Sequence, residues 1–104
     1  MTDINFQTDD RIFQWDEEKN LINRRKHGID FTDAVMIFED ENRLELLDEF
    51  HSDEEERWQV IGKIKEVLFV IYTERGDITR IISARKATAR ERRMYYGNSD
   101  LYFT

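Results

Sequence analysis

The chain has 104 residues, 38% charged and 39% hydrophobic, with 12% aromatics and neither Pro nor Cys, which bounds it to one compact domain able to build a small core. The lack of cysteine excludes a disulfide scaffold, a thiolate nucleophile and a zinc site built on sulfur. Its net charge of −7 is unevenly spread: residues 1–56 carry six basic and 18 acidic side chains, net −12, whereas residues 57–104 carry ten and five, net +5.

Residues 1–11 are mostly polar, with Ile4 and Phe6 as the only anchors, and are taken as an N-terminal extension of uncertain order ahead of a single domain at residues 12–97. Ile12-Phe13-Gln14-Trp15 forms a short strand. Asp16 then caps a helix over residues 17–27, with Glu17 and Glu18 complementing its positive end, Arg24-Arg25-Lys26-His27 its negative end, and Gly28 as the left-handed stop. Asp30 caps a second helix, in which Phe31, Ala34, Val35 and Phe38 make one apolar stripe ending near Glu39-Asp40.

Beyond Asp40 the pattern changes to period two. Leu44 to Leu47, Arg57 to Gly62, the doubly apolar Val67 to Thr73, and a segment leading to Arg85 read as strands, the last three forming an antiparallel meander through the short connections Lys63–Glu66 and Glu74–Asp77. Thr88 and Glu91 are spaced as a capping box for a last helix that stops at Gly97, leaving residues 98–104 as a tail. The predicted class is α+β, two N-terminal helices and a C-terminal helix packed on an antiparallel sheet of about four strands.

The densest charge lies between Arg80 and Arg93, where Arg80, Arg85, Lys86, Arg90, Arg92 and Arg93 face one acid, Glu91. Arginine forks make two-point bonds to phosphate and stay charged, so the cluster suits RNA or a phosphorane-like transition state. A solvated helix face, or a dock for an acidic protein segment, would look the same in sequence. His27 and His51 are the candidates for proton transfer near neutral pH, His27 being equally placed to serve its helix dipole and His51 lying in the polar loop before Arg57. Trp15, Trp58, Tyr72, Tyr95 and Tyr96 can stack on bases or fill the core. The consecutive acids of Asp16-Glu17-Glu18 and Asp53 to Glu56 do not have metal-ligand spacing, and neither a glycine-rich phosphate loop nor a serine elbow is present. The N-terminus is not signal-like and the longest apolar run, Val67 to Tyr72, is too short to cross a bilayer, so a cytoplasmic protein without membrane contact is expected.

Five stretches then combine: Phe13-Gln14-Trp15-Asp16-Glu17-Glu18-Lys19-Asn20; Arg25-Lys26-His27-Gly28-Ile29-Asp30-Phe31; His51-Ser52 with Glu55-Glu56-Arg57-Trp58; Val70-Ile71-Tyr72-Thr73-Glu74-Arg75-Gly76; and Arg80-Ile81-Ile82-Ser83-Ala84-Arg85-Lys86-Ala87-Thr88 with Glu91-Arg92. In this order and spacing, over about residues 12–96, they resemble the BrnT toxins of bacterial type II toxin–antitoxin systems. The resemblance implies a RelE-like fold and a cofactor-free, metal-independent endoribonuclease that blocks translation. It also implies a BrnA-like ribbon-helix-helix antitoxin, through which alone the complex would touch DNA and repress its operon, with a higher-order complex as one arrangement. On this reading His51, Arg57, Arg80, Arg85 and Glu91 are the catalytic candidates, and Lys26, His27, Arg75, Lys86, Arg92 and Tyr95 the RNA-binding ones. His51 is first for proton transfer, with Lys26, His27, Glu91 and Tyr95 as alternatives or supports. A non-catalytic RNA- or protein-binding module acting as a co-repressor is the competing reading.

Overall fold

In the computed structural model, which describes residues 2–51 and 55–100, the elements run β1 (Asp3–Gln7), β2 (Ile12–Asp16), α1 (Glu17–His27), α2 (Phe31–Ala34), β3 (Leu44–Leu47), β4 (Trp58–Lys63), β5 (Val67–Arg75), β6 (Ile78–Lys86) and α3 (Ala89–Asp100). The side chains of His51 and of residues 98–100, like the tail at 101–104, lie outside this description, as does much of the acidic run Asp53 to Glu56. Among the described residues no helix is long and apolar enough to cross a membrane.

The sheet has six strands in the order β1-β2-β6-β5-β4-β3, not about four, and it is mixed. β2 lies parallel to β6 through Ile12↔Ile78, Phe13↔Thr79 and Gln14↔Arg80, while every other neighbouring pair is antiparallel. The extra edge strand comes from the N-terminal segment: Ile4 and Phe6 alternate with Asp3, Asn5 and Gln7, so one face of β1 is apolar and packs on the core. Phe6 meets Trp15 with ring centroids 6.0 Å apart. The meander β4-β5-β6 follows the predicted topology with β5 at its centre.

The second N-terminal helix is also corrected. Only Phe31–Ala34 is α-helical; Val35–Glu39 continues as a 3-10 helix. β-Branched Val35 and Ile37 weaken the α-helix, and the backbone here lies hard against the sheet. A Cβ added to Gly62 would come within 2.9 Å of the Ile37 Cβ and 3.2 Å of its carbonyl oxygen, so β4 admits this segment only because Gly62 has no side chain. α3 runs on to Asp100 rather than stopping at Gly97, whose φ is not in the left-handed region that would end a helix there.

Local chemistry sets the other helix ends. Asp16 accepts from the Glu18 N–H, and Gly28 adopts φ 72° while its N–H donates to the Arg24 carbonyl. Asp30 accepts from the Thr32 N–H, and Thr88 and Glu91 exchange side-chain and backbone bonds of 2.8 and 3.2 Å.

One core cluster fills the space between the sheet and α1–α2, built on Phe13, Trp15, Phe31, Ile37, Val60, Val70 and Ile81. A smaller one, Ile61, Val67, Phe69, Ala87 and Tyr95, lies under α3 on the opposite face. α1 brings little apolar surface to the first: its buried residues are Asn20 and Asn23, while Leu21 and Ile22 are exposed. It is held instead by amides. β2 pairs with β6 only as far as Arg80, so Ala84 on β6 has no strand on that side; Asn23 takes the strand's place, donating to the Ala84 carbonyl at 2.8 Å and accepting from its N–H at 3.1 Å. Asn20 accepts from the Phe31 N–H at 2.9 Å and so ties α1 to α2.

Replacing Asn23 by Leu, similar in size but without the amide, strands both Ala84 groups in a buried place and should lower the unfolding free energy by about 2–4 kcal/mol. Urea unfolding should show this as a lower midpoint at unchanged slope.

Candidate active site

Residues directly opposite in a sheet share a face. The register therefore lines up Gln59, Ile71 and Ser83 in one row and Ile61, Phe69 and Arg85 in the next, on the face turned away from α1–α2. A cleft of about 450 Å³ opens over these rows, walled by Arg57 from the approach to β4, Asp48 from the end of β3, and Glu91 from the first turn of α3.

Arg85 is the best-defined group in it. Its Nη1 and Nη2 donate to the two Glu91 oxygens at 2.7 and 2.9 Å, and its Cζ lies 4.1 Å from the centre of the Phe69 ring. The flat guanidinium is thus fixed by a fork from one side and an aromatic surface from the other. Glu91 also accepts from the Thr88 N–H at 2.8 Å. Burial works against its ionisation, but the Arg85 bonds, the Thr88 N–H and the Arg85 charge outweigh that and hold the carboxyl below its ordinary value. It is a carboxylate at neutral pH, weakly basic, and suited to orienting Arg85. The capping box read in sequence thus has a second use, because the same glutamate that starts α3 aims the arginine.

Asp48 is buried, at 3% exposure, and its N–H donates to the Arg57 carbonyl at 2.8 Å. Sequence reasoning missed it, along with Gln59 and Ser83. The only available signal was an acid closing the short strand Leu44–Leu47.

A smaller groove of about 200 Å³ adjoins the cleft and shares Ile82 and Ser83 with it; its other wall is the α1 side chains Lys19, Ile22, Asn23, Lys26 and His27. Of the catalytic candidates, Arg57, Arg85 and Glu91 meet at the cleft, and Lys26 and His27 of the RNA-binding candidates line the groove. Arg80 does not reach the cleft: its Nη1 donates to Gln14 at 2.6 Å and its Nη2 to Asp3 at 3.2 Å. Arg75 pairs with Glu55 at 2.8 Å, Lys86 with Glu66 at 3.7 Å, and Arg92 donates to the Ala87 carbonyl at 3.0 Å. Tyr95 is buried, at 5% exposure, and gives its hydroxyl to Asp40 at 2.6 Å. Burial and then the Asp40 bond push the phenol's pKa upward, so it stays protonated in the core and cannot stack on a base. Trp15 is likewise core. The side chain of His51 lies outside the described residues, although its backbone closes the short 3-10 turn Glu49–His51 next to Asp48. Among the described residues no three His, Asp or Glu side chains are grouped to hold a metal ion.

A family model described as the ribonuclease toxin, BrnT, of type II toxin–antitoxin systems matches residues 15–91, a span that includes every residue named in the cleft and groove. In three dimensions the chain is similar to the crystal structure of the Brucella abortus ribonuclease toxin BrnT, with a TM-score of 0.53 and 28% identity over 71% of this chain and 92% of that one. No curated protein matches the chain significantly.

The depressed carboxyl of Glu91 sets a pH signature. Its contribution to stability is complete above the ordinary glutamate value of 4.5 and is lost as pH falls through the lower folded-state value. Wild type should exceed Glu91→Gln in unfolding free energy by about 1 kcal/mol near neutrality, because the pair is partly solvated. Denaturant titrations repeated at acidic pH should show that gap closing.

Proposed function

The chain belongs to the BrnT family of ribonuclease toxins of type II toxin–antitoxin systems, and from that premise we propose that it is a metal-independent endoribonuclease acting on cytoplasmic RNA to stop translation. The observation that carries the reading is the convergence of Arg57 and the Glu91-oriented Arg85 on one open cleft. RNA brings its own nucleophile in the 2′-OH, so the protein has only to move protons and stabilise charge.

In this reading the 2′-oxygen attacks the adjacent phosphorus as a base takes its proton, and the bond to the 5′-oxygen breaks as an acid protonates it. The products are a 2′,3′-cyclic phosphate and a 5′-OH. Arg85 and Arg57 stabilise the charge that builds on the non-bridging oxygens, with Arg85 held ready so that little reorganisation is needed during the reaction. His51 is the first candidate for proton transfer because its loop joins Asp48 to Arg57 at the cleft wall, and His27 and Lys26 are the alternatives across β6. Glu91, a weak base committed to Arg85, acts as a positioning residue. The burial of Tyr95 argues against a part for it. Arg80 supports the edge strands rather than the phosphate.

Family membership implies an antitoxin. A BrnA-like ribbon-helix-helix partner would cover the cleft, its acidic side chains competing with RNA phosphates there, and would carry the DNA contact for operon repression.

Inducible expression in a bacterial host tests the catalytic claim, with growth followed and new RNA ends mapped. Wild type should arrest growth and generate 5′-OH ends. Arg57→Ala and Arg85→Ala should each reduce cleavage on the order of 10²-fold, while Lys65→Ala, in the remote β4–β5 connection, should match wild type. Folded wild-type protein that causes neither arrest nor cleavage would instead identify a non-catalytic co-repressor partner.

A further inference from the structure

Lys19, Ile22, Asn23, Lys26 and His27 recur at i, i+3, i+4, i+7 and i+8, one stripe of α1. Asn23, at its centre, is fixed to Ala84 by two hydrogen bonds, so the stripe is held at a set height along β6. The two lysines therefore stand beside Ser83 because of a buried clamp, not by chance of an exposed helix.

β6 itself is irregular at this point. Ile71 faces Ser83 but Tyr72 faces Ile81, which leaves Ile82 as an extra residue in the strand. Ile82 and Ser83 line both the α1 groove and the Arg57–Arg85 cleft. The two depressions are thus neighbours that share the bulged stretch of one strand.

Their charges differ in kind. In the cleft, Arg57 and Arg85 share the walls with two carboxylates, Asp48 and Glu91. The groove has Lys19 and Lys26 with His27 and no carboxylate in its lining, and among the described residues neither lysine is in an ion pair. The acids nearest Lys19 in sequence, Glu17 and Glu18, are exposed in the first turn of α1 and are not in the groove lining, and Asp30, four residues beyond Lys26, is engaged as the cap of α2. An anion entering the cleft must compete with Glu91 for Arg85, whereas one entering the groove meets cations without a competitor. Ile22, 59% exposed, gives the groove an apolar rim for a sugar or base.

We propose that Lys19 and Lys26, with His27, form a second phosphate subsite that binds the nucleotide next to the scissile one, so that a single RNA strand crosses β6 at the Ile82 bulge. This rests on the ribonuclease reading and divides its labour. The groove supplies affinity through counterion release, and the balanced cleft supplies charge stabilisation during the reaction. The ligand is a single strand, since two adjacent phosphates must settle into separate depressions on either side of one β-strand.

The test is a salt series with a short single-stranded RNA, 2′-O-methylated throughout so that it cannot be cleaved. The probe is titrated into wild type and into the Lys19→Gln, Lys26→Gln double variant, whose urea midpoint is checked for native folding. Losing the one phosphate contact that the two lysines share should flatten the log–log salt dependence by about 0.7. A dinucleotide substrate, too short to reach the groove, should be cleaved equally by wild type and a Lys19→Gln single variant, and a longer one more slowly by that variant. If wild type binds and cleaves RNA but the double variant shows the same salt slope, the subsite is wrong and the ribonuclease reading stands. If RNA behaviour is unchanged while an acidic antitoxin is lost, the groove is a protein contact and the proposal is overturned. If wild type neither binds nor cleaves RNA, the toxin reading fails and takes the subsite with it.

Discussion

Two hydrogen bonds from Asn23 to the backbone of Ala84 connect the two halves of the molecule. A helix normally docks on a sheet by burying an apolar stripe, but α1 buries two asparagines and shows Leu21 and Ile22 to solvent. Its attachment therefore depends on direction more than on area. Hydrophobic burial would let the helix slide or roll by a fraction of a turn at small cost, whereas a side-chain amide standing in for a strand's peptide group fixes both height and rotation. The core between Trp15, Phe31 and Phe38 supplies the cohesion, and Asn23 supplies the registration. Everything on the groove side of β6 inherits its position from that contact.

The cleft is organised by a similar economy of charge. Four charged side chains line it, two of each sign. The Arg85–Glu91 pair is partly buried and bidentate, unlike the exposed Lys86–Glu66 contact at 3.7 Å, which contributes little in water. Arg85 is consequently the more rigid cation, and Phe69 beneath it prevents the side chain from folding back onto the sheet. A guanidinium that is already partly desolvated and aimed loses less on meeting a phosphate than a solvated lysine does.

What the sequence revealed about this fold divides by range. The caps at Asp16, Gly28 and Asp30 and the Thr88–Glu91 box were legible because each is settled within four residues by side-chain chemistry. The antiparallel meander was legible because its turns are short. The pairing of β1, and the parallel contact of β2 with β6 across more than sixty positions, were not, since nothing local distinguishes an edge strand from a polar extension until its partner is known. Within the site, counting arginines joined Arg80 to Arg85. The register places them opposite Thr73 and Phe69, on one face thanks to the Ile82 bulge but roughly 13 Å apart along the sheet. Gln59 and Ser83 left no trace because a polar residue on a strand reads the same whether it faces water or a cleft.

The loop that carries His51 has a consequence for variation. Its two ends are joined at the neck: the Asp48 N–H meets the Arg57 carbonyl at 2.8 Å, and Thr73, buried on β5, donates its hydroxyl to the Glu56 carbonyl at 2.7 Å. Strain introduced beyond such a neck is not transmitted to the strands below it. Doubling the length of a pinned loop adds only about 0.6 kcal/mol of closure entropy, so residues can be gained or lost there while Arg57 keeps its place. The fold thereby separates the strand-borne wall of the cleft, which must stay fixed, from a loop whose length is free to change between relatives.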